Sequence, residues 1–149
     1  FRIEEAVFRE EQDSGSAVVI NEEERFMFTK ISSIGVGVSD QDRALDFYVN
    51  VLGFEKIADE PMSETERWLE VALPGAQTHI MLGLRSRMGG DKTGFTGYIL
   101  NTDNIEATCE KLKARGVSLT KEPSTEPWGK WAQFTDLDGN EFGIWAPAW

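Results

Sequence analysis

The stretch Ser33-Ile34-Gly35-Val36-Gly37-Val38-Ser39-Asp40, continued by Arg43-Ala44-Leu45-Asp46-Phe47-Tyr48 and closed by Leu52-Gly53-Phe54, decides the fold. Ile34, Val36 and Val38 alternate with Ser33, Gly35 and Gly37, so a strand has one apolar face and one nearly stripped of side chains. Ser39 or Asp40 then offers a side-chain oxygen to the first free N–H groups of a helix. The helix runs to about Val51, and Gly53 stands where a left-handed residue terminates it.

Working outward, Phe54–Ala58, Trp68–Leu73 and Thr78–Leu84 read as strands, and Gly89-Gly90-Asp91 marks a linker over 85–93. The order then recurs. Phe95–Asn101 is a strand, and Thr102 or Asp103 caps a helix that Gly116 ends. Strands follow at Val117–Thr120, Lys130–Phe134 and Glu141–Trp145, with 122–129 read as a loop and 136–140 as a hairpin turn. Asp40 to Gly53 and Asp103 to Gly116 each span 13 positions, so the halves are offset by 63 residues. A shared offset predicts duplication, and the expected fold is α+β: two tandem βαβββ modules whose mixed sheets curve around a shared cavity. This domain covers 29–149. Residues 1–28, with eight acidic and three basic side chains, form an acidic extension with a short helix near 2–10 and a β-prone run at 17–20. It reads either as a mobile tail or as an arm that engages a partner.

Composition narrows the chemistry. A formal charge of −11 over 149 residues repels phosphate backbones and argues against a nucleic-acid partner. No apolar run reaches the about 18 residues of a membrane span, and no basic-then-apolar leader opens the sequence, so the expected location is cytoplasmic. His79 and Cys109 are the sole histidine and cysteine. An internal disulfide and a zinc site of several His and Cys ligands are thereby excluded within one chain.

The opening motif, together with Phe134-Thr135-Asp136-Leu137-Asp138-Gly139-Asn140-Glu141-Phe142 near the end, resembles the vicinal oxygen chelate superfamily, that of glyoxalases, bleomycin-resistance proteins and extradiol dioxygenases. The resemblance covers 29–149. It implies a homodimer, and in the metal-dependent members a divalent ion held by four strand residues, mostly His and Glu. The matching positions here are Ser33, Met81, Gly97 and Gly143, none of them an ordinary ligand for such an ion. A two-residue slip keeps the strand face and brings in His79 or Glu141. No cofactor is therefore expected, with a divalent metal at shifted positions as the alternative.

With these positions vacant, the inner faces read as a pocket for a hydrophobic or aromatic small molecule. Ser33, Gly35, Gly37, Gly83, Gly97 and Gly143 leave room, and Phe95, Ile99, Met81 and Trp145 share their faces by alternation. Trp131 is one of five tryptophans able to stack on a flat ligand. The rival reading is an enzyme, a glyoxalase-like lyase or isomerase or a ring-cleaving dioxygenase, with His79 as base beside Glu70 or Glu141. A third is a dimeric interaction protein that works through residues 1–28. Cys109 is expected to be a buried thiol, Tyr48 a packing residue, and Asp136 and Asp138 turn formers.

Overall fold

The computed structural model describes residues 18–19, 21, 27–90 and 93–148. The chain divides into Phe1–Ile31 and Ser32–Trp149, and all the regular elements described belong to the second unit. The helix expected at 2–10 lies outside the described residues. Of 17–20 only Val18 and Val19 are described, and they belong to no strand.

The first module comprises β1 (Ser33–Val38), α1 (Gln41–Asp46), which continues as a π-helical turn over Phe47–Val51, β2 (Glu55–Pro61), β3 (Arg67–Ala72) and β4 (His79–Leu84). The second comprises β5 (Gly94–Asn101), α2 (Ile105–Ala114), β6 (Leu119–Glu126), β7 (Gly129–Thr135) and β8 (Asn140–Ala146). The sheets have the same topology, β1-β4-β3-β2 and β5-β8-β7-β6. In each, the first and last strands run parallel and the other neighbours antiparallel. The duplication is therefore one of topology.

Three local details differ from the sequence expectation. The second helix is capped by Asn104, whose side chain accepts from Ala107 N–H at 3.0 Å, and not by Thr102 or Asp103. Asp40 caps the first by accepting from Arg43 N–H at 3.0 Å. Cap to terminal glycine is thus 13 positions in the first helix (40 to 53) and 12 in the second (104 to 116). The π-helical turn absorbs the extra residue: Phe54 N–H reaches back to Tyr48 O, and Val117 N–H to Leu112 O, one residue fewer. Next, β6 runs on to Glu126 through the segment expected to be a loop. It is an edge strand whose pairing shifts between Lys121 and Ser124, and such an edge irregularity accommodates Pro123. Finally, β5 bulges. Phe95 pairs with Glu141 and Ile99 with Gly143, and Gly97 between them has φ +81°, a conformation that favours glycine.

One core serves both modules. Val36, Val38, Leu69, Val71 and Leu82 of the first sheet and Ala132, Phe134, Phe142 and Ile144 of the second are buried with Phe47, Tyr48, Ile105 and Cys109 of the helices. Full burial of a side chain of this size is worth about 1.5–3 kcal/mol. Polar ties complete the join. The free edge of β1 presents the carbonyls of Gly35 and Gly37, which accept from Tyr98 Oη–H at 3.0 Å and from Asn140 Nδ2–H at 2.8 Å. An exposed strand edge is thereby capped by side chains of the other module. Buried Gln41 donates to the carbonyls of Arg67 and Leu82 and accepts from Arg67 N–H, holding α1 to β3 and β4.

Candidate ligand-binding site

The apolar alternation of β1 sends Val36 and Val38 into the core and leaves Ser33, Gly35 and Gly37 on the inner face. Parallel pairing with β4 sets Ser33 against His79, Gly35 against Met81 and Gly37 against Gly83. Antiparallel pairing with β3 sets Glu70 beside Met81. His79 Nδ1 lies 3.4 Å from Glu70 Oε2, with both side chains mostly buried, so the sheet brings together this expected pair. A cavity of about 200 Å³ lies on this module, lined by Met62, Glu66, Arg67, Trp68, Met81, Gly83, Arg87 and Met88. Its cations are already engaged: Arg67 pairs with Asp42 at 2.7 Å and Asp59 at 2.8 Å, and Arg87 with Glu66 at 3.1 Å. Thioethers and an indole are left to offer contact, a polarizable lining that adapts to flat apolar groups.

The second module carries the other expected residues. Trp131 lies across Gly143, its ring edge standing where a Cβ would be. Its Nε1–H donates to Gln133 Oε1 at 3.1 Å, and Phe95 meets it edge-on with ring centroids 6.3 Å apart. Trp145 pairs in register with Trp131 and donates from Nε1 to Trp128 O at 3.1 Å. Phe95 and Ile99, both on β5, are each 52% exposed. Glu141 accepts from the Gln133 amide. It stands on β8, whereas His79 and Glu70 stand on β4 and β3. The expected residues therefore fall into two groups, Ser33, Glu70, His79 and Met81 on one sheet and Phe95, Gly97, Ile99, Trp131, Glu141, Gly143 and Trp145 on the other.

The residues at the four positions matching the metal ligands do not fit a hard divalent ion. Ser33 supplies a neutral hydroxyl and Met81 a soft thioether. Gly97 supplies no side chain, and Trp131 covers Gly143. Among the described residues no group of three or more His, Cys, Asp or Glu side chains is placed to hold a metal.

Two residues of the first cavity, Met62 and Met88, carry no signal in the sequence. Met62 follows the end of β2 and Met88 sits among Arg85, Arg87, Gly89 and Gly90, a run that reads as linker by composition. The remaining candidates are structural. Cys109 is 1% exposed, and burial, with Glu122 nearby, pushes its thiol pKa up. Asp136 organises the β7–β8 turn by accepting from the N–H groups of Asp138 and Asn140, both at 2.9 Å. Its other oxygen accepts from Tyr48 Oη–H at 2.8 Å. Burial first, and then the charge of Asp136, pushes the Tyr48 phenol far above its ordinary pKa. Tyr48 thus fastens α1 to the closing hairpin of the other module.

Three relatives extend this geometry to known proteins. A solved member of the glyoxalase/bleomycin resistance protein/dioxygenase superfamily from Sphaerobacter thermophilus is 42% identical, with TM-score 0.75 over 81% of this chain and 99% of its own. TnmS3, an antibiotic binding protein from Streptomyces sp. CB03234, is 38% identical, with TM-score 0.72 over 82% of this chain and 98% of its own. The lactoylglutathione lyase of Escherichia coli O157:H7 is 30% identical over 90 residues, which is 57% of this chain and 67% of the lyase. Among the described residues no helix is long and apolar enough to cross a membrane. The family description that matches residues 30–144 is the same as that of the solved relative. The chain belongs to the Glyoxalase/Bleomycin resistance protein/Dioxygenase superfamily.

Proposed function

We propose that this is a cytoplasmic, metal-free binding protein that sequesters a hydrophobic or aromatic small molecule on the inner face of its first sheet. The observation that carries the reading is the cavity walled by Met62, Trp68, Met81 and Met88, in which one metal-ligand position is held by the soft thioether of Met81. Pockets for such ligands are concave, mostly apolar and provided with few polar groups. The antibiotic-binding relative, 38% identical over nearly its full length, supports the same class of role. The active form is a homodimer in which a second copy covers the half-exposed Phe95 and Ile99.

A tryptophan-fluorescence titration of metal-depleted protein against a panel of planar aromatic compounds tests the reading. Saturable quenching is the expected result, and no saturable response across the panel overturns it. One observation favours a second reading, that of a glyoxalase-like lyase. His79 lies 3.4 Å from Glu70, as an oriented general base would. Replacing His79 by Ala distinguishes the two. Ligand affinity persists in a binding protein, whereas turnover of a candidate hemithioacetal is lost from a lyase without loss of fold.

A further inference from the structure

Gly35, Gly37 and Gly83 line one patch of the inner face, and none of them has the positive φ that would call for glycine. Their lack of a side chain serves space instead, and Met88 fills that space. Its Cε stands where a Cβ on Gly35 would be. Its Sδ and Cγ come to 3.0 and 3.1 Å from a Cβ built on Gly83, and its own Cβ to 3.3 Å from one on Gly37. The Met81 methyl flanks both Gly35 and Gly83 at 3.7 Å by the same measure.

We propose that Met88 is a built-in competitor for the inner-face site: its thioether occupies the glycine cradle in the free protein, and an aromatic ligand binds by taking its place. This rests on the reading of that face as a ligand site. The segment that carries Met88 is a single hydrogen-bonded turn. Met88 N–H bonds to Leu84 O and Arg85 O, both at 3.1 Å, and Gly90 N–H closes the turn on Arg85 O at 2.8 Å. Gly89 and Gly90 follow with φ +97° and +83°, and Arg87 ties the turn to Glu66 through a side chain that is 65% exposed. The Arg87 end of that pair is open to solvent, which weakens the attraction, while Glu66 is mostly buried. Leaving the cradle costs Met88 dispersion contacts, and a flat ring entering between Met81 and the glycine backbone restores them as sulfur–aromatic and ring–backbone contacts. The selected ligand class is therefore a planar aromatic with at least one unsubstituted edge, since a bulky substituent would strike the same backbone that excludes a Cβ.

The test uses the full chain, Met88→Ala, and two probes: benzene, read by thermal unfolding, and 8-anilinonaphthalene-1-sulfonate (ANS), read by its fluorescence. Apolar cavities of about 150 Å³ bind benzene, so benzene raises the unfolding temperature of Met88→Ala by more than that of the parent, where it must first displace Met88. ANS affinity rises roughly tenfold in Met88→Ala, the gain when a binding-competent state populated about a tenth of the time becomes the only one. An equal benzene shift together with equal ANS affinity in the two proteins overturns the assignment of Met88 and leaves the ligand-site reading standing. Benzene stabilisation of Met88→Ala with no ANS binding to either protein overturns the ligand-site reading instead, with Met88 still the occupant of the cradle. Gly35→Ala provides a second route should Met88→Ala not fold. It displaces the methyl end of Met88, a flexible tip, and speeds peroxide oxidation of Met88 as mapped by mass spectrometry. An unchanged oxidation rate counts against the proposal.

Discussion

The Tyr48 phenol carries more of the architecture than its place in a helix suggests. It sits 1% exposed, donates to Asp136 and meets Phe142 with ring centroids 6.2 Å apart. Tyr48→Phe keeps the ring and deletes the hydrogen bond, so stability at pH 7 falls by about 1–3 kcal/mol. Urea unfolding measures this loss. The same substitution changes the alkaline limb. The folded pKa of Tyr48 is raised, so its contribution is fully present below the ordinary tyrosine pKa of about 10 and is lost as pH rises towards the folded value. Above about pH 10 the unfolded tyrosine ionises while the folded one stays neutral. The parent therefore loses stability more steeply than Tyr48→Phe, by up to about 1.4 kcal/mol per pH unit. Parallel slopes would contradict the role given to this hydroxyl. The sequence identified the turn-forming carboxylate Asp136, which has a local reason to be there, whereas Asp138, expected to do the same, accepts instead from Ser39 N–H at 3.1 Å. It contained no sign that Asp136 would also receive Tyr48 from 88 residues away, because a long-range partner leaves no periodicity.

At the level of elements, the two halves are alike in topology and differ by one helical residue. Asn104 caps α2 through its side chain, so Asn104→Ala destabilises by about 1 kcal/mol. Asp103→Ala stays within about 0.5 kcal/mol, as an uncommitted surface position does. Thermal unfolding of the two variants side by side checks the cap, and equal effects would remove it. The strands, the terminal glycines and the order of elements were legible because alternation and turn chemistry are local. What was not legible has a physical cause in each case. The π-helical turn hides its extra residue inside a continuous helical pattern. The irregular edge of β6 carries Pro123 where composition reads a loop. The bulge at Gly97 interrupts the alternation used to assign the inner face of β5.

For the whole molecule, side-chain alternation named residues on both inner faces without saying what fills them. Met81, Glu70 and His79 were found this way, and the strand pairing places them on one sheet. Met62 and Met88 come from turns and completed the cavity unannounced. The exposed pair Phe95 and Ile99 gives the account its prediction on assembly. Light scattering after size exclusion reads twice the chain mass of 16.7 kDa, and Ile99→Lys shifts the population to monomer by placing a charge in an apolar contact. A parent protein that is monomeric at micromolar concentration would contradict the dimer.

The central claim is that an aromatic small molecule binds, without metal, on the inner face of the first sheet. The chain has four methionines, and Met62, Met81 and Met88 line that cavity. Carbon-13 methyl NMR of metal-depleted, methionine-labelled protein, titrated with the strongest quencher from the aromatic panel, reports on each of them. Saturable shifts at Met62, Met81 and Met88 are the expected result. Shifts that appear only after a divalent metal is restored, or that leave these three methyl groups untouched, would contradict it.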